Sequence, residues 1–452
     1  MIPVVFLHYH GVGHINPCIP IARILEKANY KVYFAGVEYF NKYVTSQGFS
    51  YHVLHSVPFG LGFEKWVNTI EKKRNIYWSD LRDRVNDRLY KRREYSLRKM
   101  VDELHPQIII IDAIQATDFI VLYSYLKSKR IRVGIIHPMF PSHVVPGRPP
   151  GNSLAFPENK KEVRRAFWAM RWQQLKRSWK QKAKYFLHDD QYIINRRMTE
   201  NQIPLHFRSS IPCFFNFSLQ GVHELIPAPR EFDFPDFQPA PHHHYTGFML
   251  SYHQFQFRNE FFDSAWPEIL KRKKSKNLKL IYCSFGTTDS DSAGLVLKLL
   301  RKLLSVTERL DHLLIISNRA AYENNVDLPH SNHVYIFKSV PQPEVLACSD
   351  LFITHGGPSS IKESIEAEVP MLMYPVHTEY DVKGNSAKVA YHGMGLIGDA
   401  KLDSESEIEK KINDVLTNPS YRSKILEMKE KNSGYSEEGF LKLFSLLSTV
   451  GS

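Results

Sequence analysis

Cysteine is scarce in this chain of 452 residues, and its four copies are widely separated along the sequence. They form neither a CxxC pair nor a Cys/His spacing of the kind that binds zinc, so nothing in their pattern predicts a disulfide framework. The first ten residues, MIPVVFLHYH, lack the basic and then apolar order of a secretion signal. Together these features predict a protein of the reducing cytoplasm.

Long apolar runs free of charge are also missing. The most apolar region, residues 108–126, carries Asp112, Gln115 and Asp118, which would be costly at the centre of a bilayer. We therefore expect no transmembrane helix. The length exceeds the roughly 250 to 300 residues at which a single hydrophobic core stops growing, so more than one domain is expected.

Short apolar runs of strand length alternate with helical segments in both halves of the chain, and a Pro-rich stretch at 227–244 separates them. This order predicts an α/β fold with two Rossmann-like, doubly wound domains that face each other across a cleft. We expect an N-terminal domain at 1–240 and a C-terminal domain at 241–430. A last helix at 431–452 could pack back on the first domain.

Positive charge is in excess, with a formal net charge of +12 that comes largely from 71–100 and 159–184. Both segments have a helical pattern and contain Trp or Phe. They could be solvated faces with their aromatic side chains turned to the core, surfaces for anionic lipid, or nucleic-acid sites. We favour the first interpretation, keep peripheral membrane contact as the second, and expect no nucleic acid.

The stretch HYHGVGHINP at 8–17 follows the first apolar run. It matches a dinucleotide-binding G-x-G-x-x-G only in part, because Asn16 stands at the third glycine position, so a nicotinamide or flavin enzyme is the weaker alternative. His14 on this turn would face the cleft and could act as a base. Asp112 ends another strand and could orient it. The alternative is that His14 only bonds the turn and Asp112 only caps a helix.

A second glycine turn, at residues 355–357, follows a predicted strand and leads into a helix. His355, Gly356 and Gly357 precede the hydroxyls of Ser359 and Ser360, and backbone amides at such a helix start suit a diphosphate. Glu363 lies one turn further on and Gln342 follows the preceding strand. These residues together predict a site for a nucleoside diphosphate.

At these residues the chain resembles the UDP-dependent glycosyltransferases. Their donor signature is matched between Val340 and Gly395 by Pro341-Gln342, HGG at 355–357, Ser360, Glu363 and Val369-Pro370. SFGT at 284–287 and GHINP at 13–17 are similar to two further motifs of that family, and Asp112 matches its activating aspartate. The resemblance touches both domains and implies that the domain at 1–240 binds the acceptor and the domain at 241–430 binds the nucleotide sugar.

The resemblance implies a GT-B fold and an inverting transfer in which His14 deprotonates an acceptor hydroxyl with the support of Asp112. It implies that the backbone of Val340 contacts the base, that Gln342 and Glu363 bind the ribose, and that His355, Ser360 and Thr287 bind the phosphates. It implies no metal and no cofactor besides the nucleotide diphosphate sugar as co-substrate. The expected donor residues are Ser284, Thr287, Val340, Gln342, His355, Gly356, Gly357, Ser359, Ser360, Glu363, Glu379 and Asp381.

Two departures from the family pattern concern the donor. Ser339 replaces the aromatic residue that stacks on the base, so the choice between uridine and thymidine stays open. The acid and glutamine that read the sugar are replaced either by Glu379-Tyr380 or by Asp381-Val382. Because the glutamine is absent in both alignments, the sequence does not indicate which sugar is carried.

The acceptor is expected to be an apolar or aromatic hydroxyl compound or a lipid, because aromatic residues are frequent in the first half. A location in the cytoplasm, with peripheral contact at the inner membrane face, would fit such an acceptor. Two alternatives remain, a nucleotide-sugar epimerase or hydrolase and a non-catalytic nucleotide-sugar-binding protein. The sequence 289–291, DSD, is a weak candidate for metal, and His242–His244 are interpreted as part of a solvated linker.

Overall fold

A computed structural model of the chain describes residues 1–140, 143–207, 219–235, 238–250, 260–286, 290–323, 333–376 and 381–450. Two parallel sheets organise the molecule, one of seven strands and one of six. Their strands are short apolar runs such as IIIID and LIYCS whose residues are buried on both faces, as is typical of parallel sheets covered by helices.

The first sheet has the strand order β3-β2-β1-β4-β5-β6-β7, and all its neighbours pair in parallel. Its strands are β1 (Ile2–Leu7), β2 (Tyr30–Gly36), β3 (Ser50–Val53), β4 (Ile108–Asp112), β5 (Arg132–Ile136), β6 (Glu224–Ile226) and β7 (His243–Tyr245). The second sheet has the order β10-β9-β8-β11-β12-β13 and is also parallel. Its strands are β8 (Leu280–Ser284), β9 (Leu313–Ser317), β10 (Val334–Phe337), β11 (Leu351–Thr354), β12 (Met371–Met373) and β13 (Gly395–Ile397).

The helices connect these strands. Those of the first half are α1 (Val12–Ile15), α2 (Cys18–Lys27), α3 (Asn41–Ser46), α4 (Phe63–Ile70), α5 (Ile76–Val85), α6 (Arg88–Leu104), α7 (Thr117–Ser128), α8 (Lys160–Lys184) and α9 (Asp190–Glu200). Those of the second half are α10 (Glu260–Ser275), α11 (Ser290–Arg309), α12 (Arg319–Glu323), α13 (Gln342–Ala347), α14 (Pro358–Glu366), α15 (Val382–Tyr391), α16 (Glu405–Thr417), α17 (Ser420–Ser433) and α18 (Glu437–Ser445). Among the described helices, none has the length and apolar character needed to span a membrane.

The first sheet continues past residue 240, because β7 pairs with β6 and leaves only 8% of the His243 side chain exposed. The interpretation of His242–His244 as a solvated linker is therefore wrong. At the other end of the chain, α18 lies on the first domain. Phe440 and Phe444 of this helix share a core with Val4 and Phe6 of β1.

The basic helix α8 differs from the expectation in one respect. Trp168, Trp172 and Trp179 are 56%, 70% and 72% exposed, whereas Val163 and Met170 provide the buried side of the helix. The spacing of these tryptophans places them on one stripe that faces solvent. The expectation that the aromatic residues of this helix turn to the core is therefore wrong.

Candidate active site

His14 and Asp112 lie in direct contact at the carboxyl edge of the first sheet. The Nδ1 atom of His14 is 2.8 Å from Oδ2 of Asp112, whose side chain is fully buried, while the His14 side chain keeps 14% of its surface exposed. The contact follows from the topology, because β1 and β4 are neighbours and Leu7 pairs with Ile111. The residues that follow these two strands therefore meet at one edge.

Backbone amides hold the Asp112 carboxylate in place. Its Oδ1 accepts a hydrogen bond of 2.9 Å from the amide of Ile114, and its Oδ2 accepts one of 3.3 Å from the amide of Tyr9. The ring of Tyr9 also packs edge-on against His14, with 5.0 Å between centroids. A carboxylate fixed in this way favours a proton on Nδ1 of His14 and leaves Nε2 as the basic nitrogen.

The neighbouring histidines have a different character. Burial lowers the pKa of His8 to about 4 and that of His10 to about 4, so both rings are neutral near pH 7. His8 lies 3.2 Å from the hydroxyl of Tyr51, and His10 packs against Phe63 and Trp66. These contacts assign His8 to the core and put His10 in an aromatic cluster beside His14.

In the second domain, His355 lies between two glycines, directly after β11. A Cβ atom at Gly286 would come within 3.0 Å of its Cε1 atom, and one at Gly357 would come within 2.9 Å of its Nε2 atom. Both positions therefore need glycine if the ring is to stay where it is. Gly357 is also the N-cap of α14 and carries no capping side chain, so the first amides of the helix face the turn without a side-chain acceptor from the cap.

Three of the expected donor residues form one hydrogen-bonded group. The side-chain amide of Gln342 donates to Glu363 Oε2 at 2.7 Å and to Ser360 Oγ at 3.4 Å, and the hydroxyl of Tyr282 donates to Gln342 Oε1 at 3.0 Å. Tyr282 was not anticipated from the sequence. Its contact fixes the orientation of the Gln342 amide in this group.

Of the two candidate sugar-reading acids, Asp381 lies within the described ranges, and Glu379 lies outside them, as do Thr287 and Asp289. Asp381 is 6% exposed and accepts a hydrogen bond of 3.0 Å from Asn385, which also donates to the carbonyl of Gly356. Burial raises the pKa of Asp381, and the hydrogen bond from Asn385 opposes this shift.

Two residues near the turn gave no signal in the sequence. Asn385 ties α15 to the turn at Gly356, as described above. Lys362 on α14 is 2% exposed, and its ammonium nitrogen lies 5.5 Å from the ring centre of Phe140 in the first domain. Burial lowers the pKa of Lys362 to about 7. The remaining expected residues, Ser284, Val340 and Ser359, lie at the end of β8, before α13 and in the first turn of α14.

The domains also touch directly beside this site. The amide of Gly384 donates to the carbonyl of Gly151 at 2.9 Å, and Lys388 forms an ion pair of 2.8 Å with Asp233. The buried Asp233 carboxylate also binds Arg148. The two glycine turns therefore belong to domains that are in contact.

Comparison with known proteins gives a consistent result for the second domain. Residues 323–431 match the model of the family described as UDP-glucoronosyl and UDP-glucosyl transferase. The putative UDP-glucuronosyltransferase ugt-48 of Caenorhabditis elegans is 29% identical over 174 residues, 37% of this chain and 32% of its own. The NDP-glycosyltransferase YjiC of Bacillus subtilis (strain 168) is 26% identical over 215 residues, 42% of this chain and 51% of its own. The chain spans about a third of the length of the first curated relatives it matches, with shares of 32%, 33% and 30%.

Solved structures resemble the whole chain in fold. The glycotransferase of kitacinnamycin has a TM-score of 0.67 at 16% identity and covers 98% of this chain and 97% of its own. CalG4, the calicheamicin glycosyltransferase, has a TM-score of 0.64 at 12% identity and covers both chains completely, at 100% each. The expected α/β fold with two Rossmann-like domains is confirmed, and the matched segment supports the prediction of a glycosyltransferase. Residues 323–431 thus match the model of the UDP-dependent glycosyltransferase family that the motifs resemble, and the two-domain architecture is the GT-B fold.

Proposed function

We propose that this chain is an inverting glycosyltransferase that moves a sugar from a nucleoside diphosphate, UDP in the first instance, to a hydroxyl of an apolar or aromatic acceptor. The observation that carries the proposal is the contact of 2.8 Å between His14 and the buried Asp112. In the proposal, the glycine turn at the start of α14 forms the opposite wall of the cleft. A base on one wall and an anion site on the other are what a single displacement at the anomeric carbon requires.

In the proposed reaction, Nε2 of His14 takes the proton of the acceptor hydroxyl as its oxygen attacks the anomeric carbon. The bond from that carbon to the phosphate oxygen breaks, and the nucleoside diphosphate leaves with the electron pair. Asp112 stabilises the imidazolium through Nδ1. The amides at the start of α14, together with His355, offset the charge of the leaving diphosphate. This scheme uses no metal and no cofactor.

The donor side is proposed residue by residue. Gln342 and Glu363 bind the ribose hydroxyls, Ser360 and Thr287 bind the phosphates with His355, and the backbone of Val340 contacts the base. Gly356, Gly357, Ser359 and Ser284 shape the turn around the diphosphate. Asp381 or Glu379 contacts the sugar. Support comes from the hydrogen bonds among Gln342, Ser360 and Glu363 and from the family match over 323–431. The glycosyltransferase VinC, a structural relative with a TM-score of 0.61, was solved in complex with DTDP, so thymidine donors belong in the test.

An acceptor with apolar or aromatic character is supported by the rings around His14. Tyr9 lies 5.0 Å from it between centroids, Phe63 lies 6.1 Å from Tyr9, and Trp66 lies 5.5 Å from His10. Trp66 is 44% exposed and so offers a surface to a ligand. Aromatic side chains beside the proposed catalytic base His14 favour a planar or apolar alcohol as the acceptor over a sugar or a peptide.

The decisive experiment incubates the chain with UDP- and TDP-sugars, with and without a panel of aromatic and lipid alcohols, and analyses products by mass spectrometry. A glycosylated acceptor that is lost in His14→Ala supports the proposal. Free sugar without acceptor would indicate a hydrolase, and an isomerised donor would indicate an epimerase. Donor binding without any turnover would indicate a non-catalytic nucleotide-sugar-binding protein.

We also propose that α8 brings the chain to an anionic membrane surface on the cytoplasmic side. Trp168, Trp172 and Trp179 line the exposed stripe described above, and α8 carries ten Lys and Arg residues between 160 and 184. Tryptophans flanked by cations are typical of helices that lie at the headgroup level. The test is sedimentation with phosphatidylglycerol vesicles.

For this test the variant replaces the three tryptophans of α8 by alanine. The matched control replaces three exposed apolar residues of the second domain, Phe261, Leu402 and Leu426. The proposal predicts that only the α8 variant loses vesicle binding, with both variants melting as the parent does. Equal binding by both variants, or no binding by the parent at moderate salt, would contradict it.

A further inference from the structure

Three histidines and a glutamate converge on one face of the first sheet, outside the proposed active site. Glu224 at the start of β6 pairs with His243 of β7 on one side and with Ile135 of β5 on the other. His137 follows two residues after Ile135 and still bonds to β6 through its amide. Because side chains alternate along a strand, these three side chains lie on the same face. His143, in the loop that follows β5, lies over them.

The distances among these side chains are short. Nε2 of His143 is 2.9 Å from Oε2 of Glu224, and Nε2 of His243 is 3.7 Å from the same oxygen. The rings of His143 and His243 stack with 4.2 Å between centroids. One donor atom from each of His137, His143 and Glu224 lies within 4.8 Å of the other two. The group therefore surrounds a single small volume.

The cluster is buried and incompletely bonded. His137 is 2% exposed and Glu224 is 4% exposed. Among the described residues, the Nδ1 atoms of His137, His143 and His243 have no hydrogen-bond partner. Buried polar atoms normally have a partner, so the unpartnered Nδ1 of the buried His137 indicates that this cluster can take a further ligand. His143 and His243 present their Nε2 atoms to Glu224 instead.

We infer that His137, His143 and Glu224 bind one divalent transition-metal ion, zinc in particular, with His243 as a fourth ligand or as the residue that orients Glu224. Two imidazoles and one carboxylate form a zinc ligand set, with bonds of about 2.0 to 2.2 Å and tetrahedral geometry. Magnesium and calcium are disfavoured because they prefer oxygen ligands.

The ion would have a structural role that is separate from sugar transfer. His143 begins the part of the loop that reaches Gly151, whose carbonyl accepts the hydrogen bond from Gly384 in the second domain. A metal bridge from this loop to β5 and β6 would fix the first domain's side of that contact. The inference therefore holds or fails independently of the proposed reaction.

The experiment uses the full chain without a histidine tag, stripped with a chelator and titrated with Zn²⁺ against a chromophoric competitor. One equivalent should bind, and the melting temperature should rise with Zn²⁺. Co²⁺ in place of Zn²⁺ should give the visible absorption of a tetrahedral site. Failure of the parent chain to bind either ion stoichiometrically would overturn the inference without any variant.

Variants then locate the ion. Glu224→Gln and His143→Asn should each weaken Zn²⁺ binding by at least about 100-fold, and His243→Asn by about 10- to 100-fold, the range found for residues that support a metal ligand. The exposed His206, changed to Asn, is the control. His244→Asn is a second control, because His244 faces His223 across 2.7 Å on the opposite face of the sheet.

Each outcome decides the assignment. Loss of binding in Glu224→Gln or His143→Asn, with both controls unchanged, supports it. Loss in His244→Asn with Glu224→Gln unchanged would move the ion to the other histidine pair and overturn it. Melting curves recorded in chelator identify any ligand variant that fails to fold. Because the ligand variants alter different elements of the fold, the variants that do fold still decide whether the ion binds at this cluster.

Discussion

Replacing Asp112 by asparagine tests the proposed base most directly. The carboxylate accepts from the amides of Ile114 and Tyr9 and faces Nδ1 of His14. If the new amide group keeps its oxygen toward Ile114, its NH₂ meets His14, which must then accept at Nδ1 and carry its proton on Nε2. If the side-chain amide is flipped, its NH₂ faces the backbone N–H of Ile114, which now donates to Asp112 Oδ1 at 2.9 Å, and two donors oppose each other. The first orientation sacrifices only the longer bond to Tyr9 and should prevail.

The imidazole then holds its proton on the nitrogen that should be the base. Losing a charge-assisted hydrogen bond costs about 1.5 to 3 kcal/mol, and the wrong tautomer adds to this. We expect kcat for sugar transfer to fall roughly 100- to 1,000-fold, which is about 3 to 4 kcal/mol in the barrier. Binding of UDP should be unchanged, because Asp112 ends β4 of the first domain whereas the proposed donor turn lies between β11 and α14 of the second.

The assay follows UDP release and glycosylated product at saturating donor, with thermal melting as the check on folding. His14→Ala should show a similar loss, and the double variant should lose little more, because the two residues act as a unit. A folded Asp112→Asn enzyme that keeps more than about a third of the parent kcat would refute the assigned role of this pair, since a threefold change is below 1 kcal/mol.

Three further predictions concern the contact between the domains at Gly384, the buried His8, and the stacking of the donor's uracil ring. A Cβ at Gly384 would lie 2.4 Å from the carbonyl oxygen of Gly151, so Gly384→Ala should lower the free energy of unfolding by about 1 to 3 kcal/mol. Gly294→Ala, in open space on α11, should lose nothing in the same denaturant titration, and equal losses would contradict the steric argument. The pKa of His8 is lowered to about 4, so only the unfolded chain takes up this proton between pH 6.5 and 4, and stability falls as the pH falls through that range. By pH 5 the loss in the free energy of unfolding is about 2 kcal/mol. The denaturant midpoint should therefore fall less between pH 7 and pH 5 for His8→Gln than for the parent chain. An equal fall in both proteins would contradict the lowered pKa of His8. Ser339→Trp should tighten UDP binding by about 3- to 10-fold in calorimetry, because ring stacking contributes about 0.5 to 1.5 kcal/mol. An unchanged Kd would mean that the uracil ring does not lie beside position 339.

The alternation of apolar runs predicted the two-sheet architecture, because parallel strands buried on both faces have an unmistakable composition. It also brought His14 and Asp112 to one edge, since both follow strands whose carboxyl ends must lie together. Their role as base and support stays a prediction, as do the donor contacts of Gln342 and Glu363.

Other features had no local signal. Three consecutive histidines read as a solvated stretch, because nothing in PAPHHHY indicates that this segment pairs with β6 as a seventh strand. The orientation of α8 was equally hidden. Its tryptophans fall on one stripe in a helical projection, but only the packing of Val163 and Met170 decides that the stripe faces solvent. Lys362 lies at a contact between distant parts of the chain, which sequence periodicity does not reveal.

The return of α18 to the first sheet has a consequence for engineering. Helix α17 packs in the core of the second domain, whereas α18 packs in that of the first, so the first domain is assembled from two separate stretches of polypeptide. A chimera that exchanges acceptor halves at residue 245 alone would leave Phe440 and Phe444 facing a foreign surface. Exchanging α18 with its own sheet should avoid that mismatch.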